Sequence, residues 1–190
     1  MDKKRFRKIC ISRLKNSNRV QNYYFDKIVS AKLYAEIKDR GCHTVMLYIP
    51  LKIEINIYPL IKLLRKEKIT LLVPFMEGKS FRLVKYRLPI KVKSFGVKEP
   101  NISNRFYKSI DLAIVPIIGT DDTLRRVGFG KGFYDRFFAK QGGTIDRVIF
   151  VGRESCICSE TVTDDYDVEG DLYITPKKVF NQKTIKQTRI

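Results

Sequence analysis

Between Arg125 and Gly132 the chain reads RRVGFGKG, three glycines, two arginines and a lysine in eight positions, and then continues FYDRFF. Alternating glycines at Gly128, Gly130 and Gly132 let backbone amides approach a ligand without interference from Cβ atoms. At the start of a helix such amides form an anion cradle, reinforced by the helix dipole. Arg126 adds a planar, bidentate donor and Lys131 a compact point charge, a combination suited to phosphate. The string is not a P-loop, because Gly132 follows Lys131 where that motif places a Mg²⁺-binding hydroxyl. A nucleotide's metal would therefore fall to carboxylates outside the loop, and Asp135, one turn into the helix, is suitably placed. A plain glycine turn before an amphipathic helix with solvated charges would read similarly. The two cations and the carboxylate, set directly after an apolar run, favour the phosphate reading.

These residues must be positioned by a scaffold, and the apolar pattern predicts one. TVMLYIP (44–50), ITLLVPF (69–75), DLAIVPI (111–117) and DLYITP (171–176) each run apolar and stop at proline, while RVIFVG (147–152) is a fifth such run. Proline ends a hydrogen-bond ladder and keeps the preceding residue extended, so these runs predict strands ending near the prolines. Continuous rather than alternating apolar character predicts central strands covered on both faces. Three-to-four spacing predicts helices over 2–16, 21–40 and 55–68, with a fourth from about Lys131 through Ala139. FRLVKYRLPIKV (81–92) predicts a hairpin or edge strands. The alternation implies an α/β fold, a three-layer Rossmann-like domain with a mainly parallel central sheet flanked by helices. Its boundaries are expected at 1–178, followed by a loose basic tail over 179–190. Ligands of open α/β sheets sit beyond the carboxyl ends of the strands, where the glycine-rich loop falls.

Composition narrows the function classes. The 190 residues suit one domain, and 44% hydrophobic content supports a full core. No apolar run approaches the ~18–20 residues of a membrane span, and the basic N-terminus lacks the apolar stretch of a secretory signal. Cys10, Cys42, Cys156 and Cys158 show no C-x-x-C pair and His43 is the one histidine, so zinc is not expected and the cysteines read as reduced thiols of a cytoplasmic protein. The net charge of +18 favours anionic partners, but the lysines are spread along the whole chain. A basic nucleic-acid-binding protein thus stays open as an alternative, although no helix-turn-helix, zinc or RNA-recognition pattern is present.

The segment DLAIVPIIGTDDTLRRVGFGKGFYDRFF resembles the signature of the 5-formyltetrahydrofolate cyclo-ligase family: a strand ending in Val-Pro, an aspartate, then Arg-x-Gly-x-Gly-x-Gly, an aromatic and Tyr-Asp. The resemblance extends through KKRFRKICISRLK at the start, YIPLKIEIN, FGVKEP and DYDVEGDLYIT, in the family's order. It implies an enzyme that uses ATP and Mg²⁺ to cyclise 5-formyltetrahydrofolate to 5,10-methenyltetrahydrofolate. By the same resemblance Lys3, Lys4, Arg5, Phe6 and Arg7 form a nucleotide-contacting segment, joined by Arg126, Val127, Gly128, Phe129, Gly130, Lys131, Gly132, Phe133 and Tyr134. Arg126 and Lys131 are the expected charge stabilisers of the chemical step. Ile49 and Glu54 are implied on the folate side, with Phe129, Gly130, Lys131, Gly132 and Phe133 touching both ligands. Asp135 and Asp171 match the metal-binding carboxylates. The expected partners are ATP and the folate, without a membrane, acting on a monomer. Three positions depart from the family pattern: Ile117 and Leu124 stand where glycine is usual, and Tyr166 where a histidine often precedes the first aspartate of the last motif. A relative that binds both ligands without turnover also stays open.

Overall fold

A computed structural model describes residues 1–16, 18–92, 98–100, 107 and 109–187. The strands are β1 (Thr44–Met46), β2 (Thr70–Glu77), β3 (Ser80–Lys85), β4 (Lys91–Val92), β5 (Lys98–Glu99), β6 (Leu112–Pro116), β7 (Gly119–Asp121), β8 (Arg126–Val127), β9 (Val148–Val151), β10 (Ile157–Cys158), β11 (Leu172–Ile174) and β12 (Val179–Phe180). The helices are α1 (Lys3–Lys15), α2 (Arg19–Asp39), α3 (Tyr58–Lys66), α4 (Phe133–Gln141) and α5 (Gln182–Lys186). The five apolar runs supply β1, β2, β6, β9 and β11, which are parallel neighbours in a seven-stranded sheet ordered β12-β11-β9-β6-β1-β2-β3. Only the edge strands β3 and β12 are antiparallel.

The continuous apolar character of the runs follows from two-sided burial, since successive side chains alternate between faces. Val45, Leu71, Ile114 and Ile149 pack with Val29, Leu33 and Ile37 of α2 and with Leu60, Ile61 and Leu64 of α3. Met46, Leu72, Ala113 and Phe150 pack on the opposite face with Phe137 of α4 and Ile185 of α5. This is the three-layer α/β arrangement, with a mostly parallel sheet between helices. A third cluster joins Phe6, Cys10 and Leu14 of α1 to Ile118, Val127, Cys156 and Cys158 on and around the small sheet β10-β7-β8. That sheet, together with α1, roofs one end of the main sheet.

Two local expectations change. Pro74 does not end its strand, because β2 continues to Glu77 against β3. Leu71 O faces β3, where it accepts from Tyr86 N, and Leu72 O faces β1, where it accepts from Leu47 N, so alternation turns the nitrogen of Pro74 toward the side where β1 has already stopped. No ladder bond is lost there. The basic C-terminal segment is not loose up to residue 187: β12 pairs with β11, and Phe180 and Ile185 are buried. Asn181 caps α5 by accepting from the amides of Lys183 and Thr184. Leu124 adopts the left-handed conformation (φ 57°) that glycine favours, and its fully buried side chain offsets the cost of about 1 kcal/mol. Part of the FGVKEP segment (95–97) lies outside the described residues.

The cysteines also differ from expectation. Cys10 on α1 and Cys156 before β10 form a disulfide, with Cα atoms 5.9 Å apart and a sequence separation of 146, while Cys42 and Cys158 are free and buried. Spacing in sequence could not show this pair, because only packing of α1 on the small sheet brings its halves together. Thiol titration of the unfolded, unreduced protein is expected to find two reactive cysteines, and four after reduction. Reduction should also lower the melting temperature, since cross-links of this kind contribute about 2–4 kcal/mol. Four thiols without reductant would show that the cross-link does not form.

No helix among the described residues is long and apolar enough to cross a membrane.

Candidate active site

The strand order reverses between β1 and β6: the chain runs outward from β1 to β2, then returns to build β6, β9 and β11 on the other side. Loops leaving two strands in opposite directions open a crevice at their carboxyl ends, where α/β sheets bind ligands. A cavity of about 530 Å³ occupies this place. Tyr48 and Ile49 enter it after β1, Pro116 closes β6, and the glycine-rich loop with the first turn of α4 forms one wall. Lys3 and Arg7 of α1, Pro74 and Met76 of β2 and Phe81 of β3 complete further walls, with Asp164, Tyr166 and Asp167 at the side of Lys3.

The glycine-rich loop is shaped around its arginines. Arg126 is buried, donates from Nε to Pro116 O at 3.1 Å and stacks its guanidinium 4.5 Å from the ring centre of Tyr134. Burial lowers its pKa, opposed by the nearby charges of Asp135 and Glu54, and an arginine stays cationic under such conditions. A Cβ on Gly128 would come within 2.6 Å of Arg126 Nη2, so this glycine is needed for the guanidinium to lie where it does. Arg7 reaches across from α1, donating from Nε to Gly128 O at 2.7 Å. Gly132 begins α4 in the left-handed region (φ 65°), and Arg136 donates to the carbonyls of Lys131 and Lys79, both at 2.5 Å. The loop is therefore tied to α1, β6 and the β2–β3 turn before any ligand arrives.

Of the expected cations, two are already committed. Lys3 donates to Asp167 at 2.5 Å and to Asp164 at 2.9 Å, and its ammonium lies 5.3 Å from the ring centre of Tyr166. Burial alone would lower its pKa, but these two bonds outweigh it and the value rises. Arg7 is held by Gly128 O. Lys131 is exposed, and its side chain has no hydrogen-bond or ionic partner among the described residues, which leaves its charge for a ligand. Within the N-terminal segment only Lys3 and Arg7 face the cavity. Lys4 and Arg5 are exposed outside it, and Phe6 is buried in the α1 cluster beside Gly119. Val127 likewise belongs to that core rather than to the cavity wall.

Phe129, Phe133 and Tyr134 line the cavity, while Phe137 is core, so the aromatic run after the glycines divides by its position on the helix. Ile49 and Glu54 line the same cavity. Glu54 Oε2 accepts from Leu51 N at 2.9 Å. Burial pushes the Glu54 carboxyl up to about 7, against the lowering effects of that amide and of Arg126 and Arg153.

The two expected metal carboxylates are not brought together. Asp135 lines the cavity, and its Oδ1 is buried without a hydrogen-bond partner. Asp171 stands at the opposite end of the sheet, where its amide donates to Val148 O and its carboxylate accepts from Val148 N at 2.7 Å. It fixes the start of two parallel strands, and a residue at the amino ends cannot reach a crevice at the carboxyl ends. The first aspartate of the same motif, Asp167, does reach the cavity. Sequence reading passed over Asp164, Asp167, Tyr48, Met76 and Phe81, although the DYDVEGDLYIT segment held a signal for Asp167. Among the described residues no cluster of three or more histidine, cysteine, aspartate or glutamate side chains could hold a metal alone.

Asp121, fully buried, organises the neighbouring loop. Its carboxylate accepts from the amides of Val162 and Thr163 and from the hydroxyls of Thr123 and Thr163. These bonds place the 161–167 segment, and with it Asp164, Tyr166 and Asp167, beside Lys3.

Residues 1–176 match the sequence model of the group described as the 5-formyltetrahydrofolate cyclo-ligase family. A curated protein of Mycoplasma pneumoniae named 5-formyltetrahydrofolate cyclo-ligase is 26% identical over 176 residues, covering 92% of this chain and 98% of its own. One of Escherichia coli K12 with the same name is 24% identical over 150 residues, covering 73% of this chain and 80% of its own. The solution structure of Aquifex aeolicus 5,10-methenyltetrahydrofolate synthetase superimposes with a TM-score of 0.81 at 26% identity, covering 96% of this chain and 94% of that one.

Proposed function

The chain belongs to the 5-formyltetrahydrofolate cyclo-ligase family, and on that premise we propose that it converts 5-formyltetrahydrofolate and ATP into 5,10-methenyltetrahydrofolate, ADP and phosphate. The observation that carries the reading is the Lys131 side chain, without a partner among the described residues, on a pre-tied glycine-rich turn that lines one cavity together with Glu54. The formyl oxygen attacks the γ-phosphorus and ADP leaves, which turns a poor leaving group into a good one. N10 then attacks the activated carbon, loses its proton, and the C–O bond breaks with departure of phosphate. Such a reaction depends on positioning and charge neutralisation rather than on acid–base side chains, which suits a chain with a single histidine.

Lys131 and Arg126 neutralise the transferring phosphoryl group, while the loop amides from Gly128 to Gly132 cradle it. Lys3 and Arg7 act differently. Lys3, engaged by two aspartates, holds the 164–167 segment as a wall, and Arg7 fixes the loop through Gly128 O. Phe129 and Phe133 offer faces to flat rings. Ile49 and the carboxylate of Glu54 receive the folate, Glu54 by accepting hydrogen bonds from the amino and ring N–H edge of the pterin. The residues also fit a magnesium ion: the orphaned buried oxygen of Asp135 is a hard donor at a phosphate site, and Mg²⁺ commonly takes one or two carboxylates with phosphate oxygens and water. Bound there by Asp135, the ion would neutralise phosphate charge. Asp171 is too far removed to share it. The lining residues named come from one chain, in keeping with a monomer, and consumption of ATP suits the cytoplasm.

The test is spectroscopic. Mixing the protein with 5-formyltetrahydrofolate, Mg²⁺ and ATP should produce the near-ultraviolet absorbance of the methenyl product, and omission of ATP should abolish it. Nucleotide and folate binding without that change would identify a non-catalytic relative.

Glu54 gives a second expectation. Its pKa is about 7 in the folded chain against 4.5 for the free side chain. Between these values the unfolded state has lost a proton that the folded state retains, so the stabilisation present below 4.5 declines as pH rises and is gone above about 7. Glu54→Gln escapes this loss. The variant should melt higher than the parent at pH 8 and lose that advantage near pH 4, while its KM for the folate rises about tenfold or more. An unchanged folate KM would remove Glu54 from the substrate site.

A further inference from the structure

We propose that Arg153, paired with Asp26, is the positioning residue that presents Glu54 to the folate. The proposal rests on the reading of Glu54 as a substrate-binding carboxylate. Neither Arg153 nor Asp26 lines the cavity, and neither belongs to a motif singled out in the sequence.

Glu54 sits on the segment that joins β1 to α3, residues 47–57, which belongs to no strand or helix. A carboxylate on such a segment is only as well placed as its backbone, and here three successive residues are each held by a buried or half-buried side chain. Arg153 Nη2 donates to Glu54 O at 2.6 Å. Tyr48 OH donates to Ile55 O at 2.8 Å. Asp26 Oδ1 accepts from Asn56 N at 3.0 Å. The first and third are coupled, because Arg153 Nη2 also donates to the same Asp26 Oδ1 at 2.8 Å. Arg153 follows β9 and Asp26 lies on α2, so the pair joins a sheet strand, a helix and the Glu54 segment at one point.

The arrangement is costly for stability alone. The Arg153 side chain is 4% exposed and that of Asp26 15%, and the Arg153 Nε is buried without any partner. Buried ion pairs seldom stabilise more than apolar side chains of similar size would, and a buried donor left unpaired adds a further penalty. A guanidinium retained under those conditions is better explained by what it fixes. It also acts on Glu54 directly, since its charge favours the ionised carboxylate. The groups facing that carboxylate are Arg126 from β8, Arg153 after β9, Tyr48 after β1 and Tyr134 of α4, with Asp26 behind Arg153. Of these, Arg126 and Arg153 are the cations, and Arg126 faces the phosphate end as well.

Arg153→Met keeps chain length and removes charge and donors. Its expected result is a rise of about tenfold in KM for 5-formyltetrahydrofolate, with kcat changed less than about threefold and KM for ATP unaltered. The acid limb of kcat/KM for the folate should move to higher pH, because loss of a neighbouring positive charge makes Glu54 harder to ionise. Asp26→Asn should move KM the same way and less far, and Arg153→Lys should restore the acid limb while recovering KM only in part. In a Glu54→Gln background the pH displacement caused by Arg153→Met should vanish. If Arg153→Met does not fold, Asp26→Asn carries the KM readout and Arg153→Lys the comparison of charge with geometry. A fall in melting temperature without change in folate KM or acid limb, in variants for which Glu54→Gln does raise that KM, overturns the positioning role and leaves the substrate reading intact. Failure of Glu54→Gln itself to raise KM overturns the substrate reading, and this proposal with it.

Discussion

Lys131→Ala is expected to lower kcat for the ATP-dependent cyclisation by about 10²–10³-fold while leaving the melting temperature nearly unchanged. The first half follows from the charge inventory of the cavity. Lys3 is neutralised by Asp164 and Asp167, Arg7 is anchored through its Nε to Gly128 O, and Arg126 is fixed against Pro116 O and Tyr134, so among the described residues lining the cavity Lys131 is the cation whose side chain has no protein partner and can follow charge onto a moving phosphoryl group. Removing one preorganised charge or donor from such a centre typically costs that much in rate. The second half follows from exposure: the Lys131 side chain makes no hydrogen bond or ion pair among the described residues, and surface substitutions of this type change stability by about 0.5 kcal/mol or less. Stopped absorbance assays at saturating ATP and folate, with calorimetry on the same samples, measure both. Lys131→Arg should recover only part of the rate, because a planar fork does not occupy the place of a point charge. Full turnover in Lys131→Ala would place phosphoryl transfer elsewhere and count against the assignment of the loop.

Gly128→Ala, one methyl group, is expected to cost about 1–3 kcal/mol of stability and about 10²-fold in kcat/KM. No left-handed backbone is involved. The penalty comes from contact, because the new Cβ would lie within 2.6 Å of Arg126 Nη2, and that guanidinium has little freedom to withdraw. Its Nε is engaged with Pro116 O and its plane rests on Tyr134 in a buried setting. Accommodation therefore moves the charge near Glu54 and the glycine-rich loop together. A double-mutant cycle makes the cause visible. Arg126→Ala removes the atoms that the methyl group strikes, so the stability cost of Gly128→Ala should fall close to zero in that background. Equal costs in both backgrounds would trace the effect to the loop backbone instead. Gly130→Ala provides a comparison, since there the left-handed φ of 89° adds backbone strain, and the nearest side-chain atom, Arg7 Nη1, stands at 3.3 Å.

How much of this was legible in sequence depends on the range of the interactions concerned. The five parallel strands and the four main helices were readable because burial on both faces leaves unbroken apolar runs and burial on one leaves a three-to-four stripe. The glycine-rich loop was readable because its chemistry is contiguous: cations, glycines and a carboxylate within one turn of chain. Pro74 misled because proline's effect on a strand depends on whether a neighbour stands on its nitrogen side, and where β1 stops is not written near residue 74. The tail misled because basic composition was read without weighing Phe180 and Ile185, which bury it. Asp171 misled because an aspartate opening a strand lies at the amino end by definition, opposite the ligand crevice of a parallel sheet.

By itself, then, the sequence determined the layers, the strands and the glycine-rich loop before α4, all of which follow from patterns within a few residues of one another. Tertiary structure alone decided which cations are free and which are paired, that Cys10 meets Cys156, and that Asp26 and Arg153 converge on the segment of Glu54. The physical reason is the range of each effect. Periodic burial and backbone chemistry are local properties of the chain, whereas the charge state and freedom of a side chain are set by neighbours that folding brings from more than a hundred residues away, as Arg153 is from Asp26.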